Sequence, residues 1–343
     1  MSGSRSTKTG RRPESGSESR VLRLLVAGGA GFIGSHLCDL LIRRGHRVLC
    51  VDNFCCSSPK SVDQFLRCKR FQLLEHDILT PLDVPAPLDG VLHLATPADP
   101  QLFRARPVQI ARTAALGTAA MLDLARTHNC RFLLASSDAV YGDPLEQPQK
   151  ESSFGPLDPV GPRSAYDEGK RFAESLTMAY HVQEGVDTAI ARIFHSYGEG
   201  MPIDGRLIPT YLANALRGEP LIVLGTGRQT RSFCHVDDVV EGVLALFLSG
   251  CHQPVNIGSP HRVSVLSLAR LIAKLVGSSS PVQFGPPLAG DRRSRCPDIS
   301  LAARLLGWQP RIPLKEGLRR TIVDARRLAP SPCSAIAQGG LSA

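Results

Sequence analysis

Tyr166 and Lys170 stand four residues apart in "AYDEGK". On a helix that spacing places both side chains on one face. A free phenol has a pKa near about 10 and is a poor base at neutral pH. Lowering it by roughly 3 units takes about 4 kcal/mol. One ammonium about 4 Å away, at an effective dielectric near 20, supplies about that much. The pair therefore reads as a proton acceptor for a hydroxyl whose carbon is losing hydride. Ser137, at the end of the apolar run in "RFLLASSDAVYG", can hold that hydroxyl, and Asp138 sets an acid beside it.

Hydride needs an acceptor, and the chain supplies a place for one. "VAGGAGFIGSHL" spaces Gly28, Gly31 and Gly34 as G-x-x-G-x-x-G between an apolar run and an amphipathic one. The first glycine permits a tight turn, the second lets backbone approach a pyrophosphate, and the third lets helix lie close on strand. The helix N-terminus then offers free N–H groups to phosphate. Asp52 closes the next apolar run in "VLCVDNF". A carboxylate there accepts from an adenosine ribose and repels a 2′-phosphate, which predicts NAD over NADP. Phe32, Ile33, Asn53, Asp77, Ile78 and Ala95 flank the same turn and strand ends and complete the set of cofactor candidates. For Asp77 a cofactor contact and plain strand termination are equally good readings.

These residues need a scaffold that brings strand ends together. Strand-like and helix-like segments alternate from residue 21: "VLRLLVAGG", "FIGSHLCDLLIRRG", "HRVLCVD", "FQLLEHD", "GVLHLA", a long helix opened by Pro107, "RFLLASS", the Tyr166 helix and "VDTAIARIF". That alternation predicts an α/β fold, a Rossmann-type doubly wound parallel sheet. After about residue 196 helices are expected near 206–217, 236–249 and 264–276, between Gly/Pro-rich turns. The expected organisation is a disordered tail over 1–20, an NAD-binding domain over 21–195, a smaller C-terminal α/β substrate lobe over 196–327, and a disordered tail over 328–343. The segment 236–258 is expected to return to the sheet, since "PVNIG" reads as a buried strand.

Bulk properties narrow the class. The 343 residues carry a formal net charge of +9. The basic residues are scattered, so a nucleic-acid partner is not expected, while an anionic substrate suits the charge. No apolar stretch is long enough to cross a membrane, and the opening "MSGSRSTKTGRRPE" has no apolar core of a signal peptide. The ten cysteines show no C-x-x-C and no zinc-ligand spacing, which predicts reduced thiols, a cytoplasmic protein and no metal site.

The stretches "GGAGFIGSHLCDLL", "VYGDP", "GPRSAYDEGKR", "QTRSF", "VNIG" and "LLGWQP" together resemble the extended short-chain dehydrogenase/reductases that modify nucleotide sugars. Within them the chain is most similar to the UDP-glucuronate decarboxylases, over about 21–327. The resemblance implies NAD as cofactor and a UDP-sugar as substrate. It implies oxidation at C4, loss of the C5 carboxylate as CO₂, protonation of the resulting enolate and re-reduction to UDP-xylose. It assigns Ser137, Tyr166, Lys170 and Arg295 to catalysis, and Asp138, a further catalytic candidate, stands where sugar-nucleotide 4,6-dehydratases carry an acid. It assigns Arg163, His195, Arg231 and Arg295, with Ser137 and Tyr166, to the substrate: Arg231 to its diphosphate, Arg295 to its carboxylate region. It also implies a homodimer built from the helix after Pro107 and the Tyr166 helix.

The chain departs from that family at named positions. Where the family carries Thr-Ser-Glu before "VYG", this chain has Ser137-Asp138-Ala139. His195 replaces an asparagine, Gly200 an arginine, Phe103 a tyrosine, Gln109 a lysine and Ala114 an asparagine. The oxidation machinery is intact, and the changes bear on the substrate and the second half of the reaction. The expectation is slow protonation after CO₂ leaves, with the 4-keto pentose accumulating. A 4-epimerase, a 4,6-dehydratase-like enzyme and a non-catalytic NAD-binding protein stay open as alternatives.

Overall fold

The computed structural model describes residues 20–287 and 294–328; apart from their innermost residues, the expected disordered tails at 1–20 and 328–343 lie outside them. Seven short apolar runs form one parallel sheet: β1 (Arg23–Ala27), β2 (Arg47–Asp52), β3 (Phe71–Glu75), β4 (Gly90–His93), β5 (Arg131–Ser137), β6 (Thr188–Ile193) and β7 (Pro254–Ile257). Their order is 7-6-5-4-1-2-3. Runs such as Leu24–Ala27 and Phe132–Ala135 are buried on both faces, as parallel strands under two helix layers must be. One layer packs Leu37 and Leu41 of the helix Phe32–Arg43 with Val239 and Val243 of Val236–Leu248. The other packs Met121 and Leu122 with Ala173 of the helix Ser164–Glu184.

The strand order reverses between β1 and β4, so the crevice at their C-terminal ends is the natural ligand site. The helix after Pro107 is not continuous. It runs Pro107–Arg112, widens into a π turn over Thr113–Gly117, and resumes as Thr118–Thr127. The wide turn seats Gly117 on Ile78, where a Cβ would come within 2.6 Å of Ile78 Cδ1.

Over the crevice lies a smaller unit with its own core. Ile208 and Tyr211 of the helix Leu207–Arg217 pack on Leu268 and Ile272 of Val265–Val276 and on Leu318 of Leu314–Leu328. Strand Leu221–Leu224 pairs with Val282–Gly285. Strand Thr230–Ser232 lies between Arg262–Ser264 and Ser294–Arg295, a register that sets Arg295 opposite Arg231. Between Thr230–Ser232 and Arg262–Ser264 the chain returns to the main core through Val236–Leu248 and β7, which completes the sheet beside β6.

Candidate active site

A cavity of about 710 Å³ lies over the strand ends and beneath the smaller unit. The structure brings all of the sequence-derived candidates to its walls. Gly28, Gly31, Phe32, Ile33, Gly34, Asp52, Asn53, Asp77, Ile78 and Ala95 line one end. Ser137, Asp138, Arg163, Tyr166, Lys170, His195, Arg231 and Arg295 line the rest.

The first end is a cradle for backbone approach. Gly28 has φ +78°, and a Cβ there would stand 2.7 Å from the backbone of Leu94 and Ala95. A Cβ on Gly34 would fall 2.1 Å from the Gly28 carbonyl oxygen. Only glycine lets this helix start so close to the turn. Gly31 caps the helix without a side-chain acceptor, so its first N–H groups are available to an anion. Asp52 braces the turn. Its Oδ2 accepts from the Ala30 N–H at 3.0 Å, and its Oδ1 accepts from the Phe54 N–H at 2.9 Å and the Ser57 hydroxyl at 2.8 Å. Two lone pairs per oxygen leave capacity for a ribose hydroxyl. Asp77 Oδ1 accepts from the Leu79 N–H at 2.9 Å, and Asn53 Oδ1 from the Cys55 N–H at 3.1 Å, so both also fix local turns. A cradle that a Cβ would fill, with an acid at the end of β2, fits a dinucleotide.

At the other end the Tyr166 ring stacks on Phe103, with centroids 4.7 Å apart and planes 25° from parallel. The Arg163 guanidinium lies 4.8 Å from the centre of the same phenylalanine ring and pairs with Asp167 at 3.2 Å. Lys170 is buried. Its Nζ donates to the Ala135 carbonyl at 2.7 Å and stands 6.0 Å from the Tyr166 ring centre. Burial lowers the Lys170 pKa to about 8, with Glu174 pulling the other way. The phenol does not follow the simple sequence expectation. Burial and the neighbouring Asp138 charge hold Tyr166 above its ordinary value, against a hydrogen bond with Ser137 and the Arg163 charge. Desolvation of the buried phenol here outweighs the residues that favour the phenolate.

Asp138 is the centre of a second cluster. Its Oδ2 accepts from Arg295 Nη1 at 2.7 Å, its Oδ1 accepts from the Ser137 hydroxyl at 3.1 Å, and His195 Nδ1 stands 3.7 Å from Oδ2. Burial raises the carboxyl's pKa, but Arg295, His195 and Ser137 outweigh it and hold it below the ordinary value. Burial lowers His195 to about 4, so the imidazole is neutral at pH 7. Its Nδ1 is buried and makes no hydrogen bond. Ala139 points elsewhere. It is fully buried in an apolar knot with Phe103, Ile110 and Tyr166 and is absent from the cavity wall.

Sequence reasoning missed the groups that hold this arrangement from behind. Glu174 bridges the Ser136 hydroxyl at 2.5 Å and Arg192 at 2.7 Å; Arg192 donates to the Tyr141 oxygen at 3.1 Å, and Tyr141 donates to Asn256 on β7 at 2.5 Å. Asn256 donates to the carbonyls of Gln149 and Asp298, both at 3.0 Å. Gln149, 1% exposed, then clamps the segment after Arg295: its N–H donates to the Cys296 carbonyl, and its Oε1 accepts from the Cys296 N–H, each at 2.8 Å. No motif marks Gln149, because its role depends on residues more than a hundred positions away.

A family model described as the NAD dependent epimerase/dehydratase family matches residues 24–258. UDP-glucuronic acid decarboxylase 1 of Danio rerio is 45% identical over 307 residues, 89% of this chain and 73% of that protein. UDP-glucuronic acid decarboxylase 1 of Arabidopsis thaliana is 44% identical over 326 residues, 95% of this chain and 74% of that protein. Among solved structures, a UDP-glucuronic acid 4-epimerase from Bacillus cereus in complex with NAD is similar at a TM-score of 0.77 and 27% identity, over 90% of this chain and 99% of the other.

Proposed function

The chain belongs to the NAD-dependent epimerase/dehydratase family, and from that premise we propose that it is an NAD-dependent UDP-glucuronate decarboxylase forming UDP-xylose. The observation that carries the reading is a single cavity holding the glycine cradle, the Ser137–Tyr166–Lys170 group and the adjacent Arg231 and Arg295.

The glycine turn and Asp52 would hold NAD, which when bound would supply the hydride acceptor and donor for C4. Ser137 orients the C4 hydroxyl, and the Tyr166 oxygen takes its proton as hydride leaves that carbon. Lys170 holds positive charge beneath the phenolate. The new 4-keto group makes the sugar a β-keto acid, so the C5 carboxylate departs as CO₂ and its bonding pair remains as an enolate. C5 takes a proton, and Tyr166 returns its own to O4 when C4 is reduced. Arg231 suits the diphosphate and Arg295 the uronate carboxylate. Incubating the purified protein with UDP-glucuronate should release CO₂ and form UDP-xylose. Absence of CO₂ would end this reading.

A second reading is a uronate 4-epimerase. Ala139 favours it, because the position that holds glutamate in the resembled decarboxylases is here sealed in an apolar knot. UDP-galacturonate formed without CO₂ would decide for it.

The working unit is a homodimer through the helix after Pro107 and the Tyr166 helix. Val108, Leu116 and Phe172, on these helices, are 71%, 54% and 51% exposed, apolar side chains that a partner helix pair would cover. The cytoplasm is the compartment that suits its thiols, since every cysteine among the described residues is free.

A further inference from the structure

Arg295 has one positive charge and already has a carboxylate. Asp138 holds it at 2.7 Å, and both side chains are about nine-tenths buried in the cavity wall. A uronate substrate brings a second carboxylate to the same guanidinium. Two carboxylates that share one cation in a desolvated site cannot both stay ionised at little cost.

The other groups facing Asp138 do not resolve the conflict. His195 lies 3.7 Å away, but burial keeps it neutral at pH 7, and Arg295, Arg231 and Arg163 all act against its protonation. Ser137 only shares a hydrogen bond with Asp138. Tyr166, on the opposite helix, is held neutral in part by the Asp138 charge. Ala139 is shut away from the cavity.

We propose that the substrate loads its own proton donor: its carboxylate takes Arg295 from Asp138, and the released Asp138 binds one proton from solvent and delivers it to C5. The inference rests on the decarboxylase reading. The balance closes. The C5–carboxylate bond breaks and CO₂ leaves as a neutral molecule. The electron pair stays on the enolate, and the Asp138 O–H proton forms the new C5–H bond. Asp138 becomes a carboxylate again as Arg295 loses its substrate partner, so the ion pair re-forms and resets the site. One proton is consumed per CO₂ released.

The test separates binding from turnover. Tyr166→Phe protein saturated with NAD is mixed at pH 7 with UDP-glucuronate or with UDP-xylose, which lacks the carboxylate, and proton uptake is read with an indicator dye. The expected result is about one proton per site with UDP-glucuronate and none with UDP-xylose. Adding Asp138→Asn should abolish the uptake. No uptake with UDP-glucuronate, or uptake that survives Asp138→Asn, overturns the proposal. In the otherwise native enzyme Asp138→Asn should slow C5 protonation about 100-fold or more, seen as bound NADH building up at its absorbance band. Turnover at the parent rate also overturns it. CO₂ release by the parent judges the reaction independently: if CO₂ appears without the proton count, only the exchange fails.

Discussion

Tyr166 and Lys170 are legible from spacing, because i and i+4 on a helix face the same way whatever the tertiary structure. Their titration is not legible, because it depends on how deeply distant elements bury them. Tyr166→Phe should lower CO₂ release at least about 100-fold, as loss of a general base does, while bound NAD and the thermal midpoint stay near the parent's. Lys170 gives a pH signature. Burial brings its folded pKa to about 8, so its ammonium is lost as pH rises through about 8. kcat/KM measured over pH should fall on that limb, and Lys170→Arg, which cannot deprotonate, should move the limb upward. The stability sign is opposite. Between about 8 and the ordinary lysine value of 10.5 the unfolded chain binds a proton that the folded chain does not, so this group's contribution to stability rises with pH across that window. Asp52 is a further residue whose two tasks only the structure separates. Asp52→Ala should weaken NAD binding by titration and loosen the Ala30–Ser57 turn as well.

At the scale of elements, the turn between β1 and its helix was readable because its glycine requirement is local. A Cβ on Gly34 meets backbone, which cannot swing aside. Gly34→Ala should cost about 1–3 kcal/mol or more by overpacking, read as a lower thermal midpoint, and the purified protein should lose its NAD. The π turn at Thr113–Gly117 was not readable, because its reason lies in Ile78, after another strand. The Ala139 knot is similar. Sequence marked the missing glutamate but not that Phe103 and Ile110 fill the space around the alanine. Ala139→Glu alone should therefore destabilise the protein, since a buried carboxylate without a partner is costly, and it should not restore a proton donor by itself. A denaturation curve alongside the CO₂ assay checks both points.

Across the whole molecule, the parallel sheet followed from the alternation of apolar runs, and the site from its position at a reversal of strand order. How the smaller unit grips that site did not follow. The residues that tie β7, the segment around Gln149 and the strand ending at Arg295 are polar, buried and scattered along the chain. The apolar faces at Val108, Leu116 and Phe172 suggest a direct check of assembly: Phe172→Glu should shift the mass in light scattering from dimer to monomer. Gln149→Leu should leave the Cys296 N–H unpaired, at a cost of about 1–3 kcal/mol. It should also raise KM for UDP-glucuronate more than it changes NAD binding, because Arg295 is the next residue along.

That clamp bears on how such an enzyme can be rebuilt or can drift. Gln149 does not line the cavity, so a survey restricted to cavity walls would treat it as freely exchangeable. Yet it fixes the address of Arg295, the arginine that we propose reads the uronate. A chimera given only the glycine turn, the Ser137 strand end and the Tyr166 helix would inherit the ability to oxidise a sugar hydroxyl. Without the Gln149–Cys296 tie it would inherit no preference for which sugar, and the heritable unit of specificity is therefore larger than the visible motif.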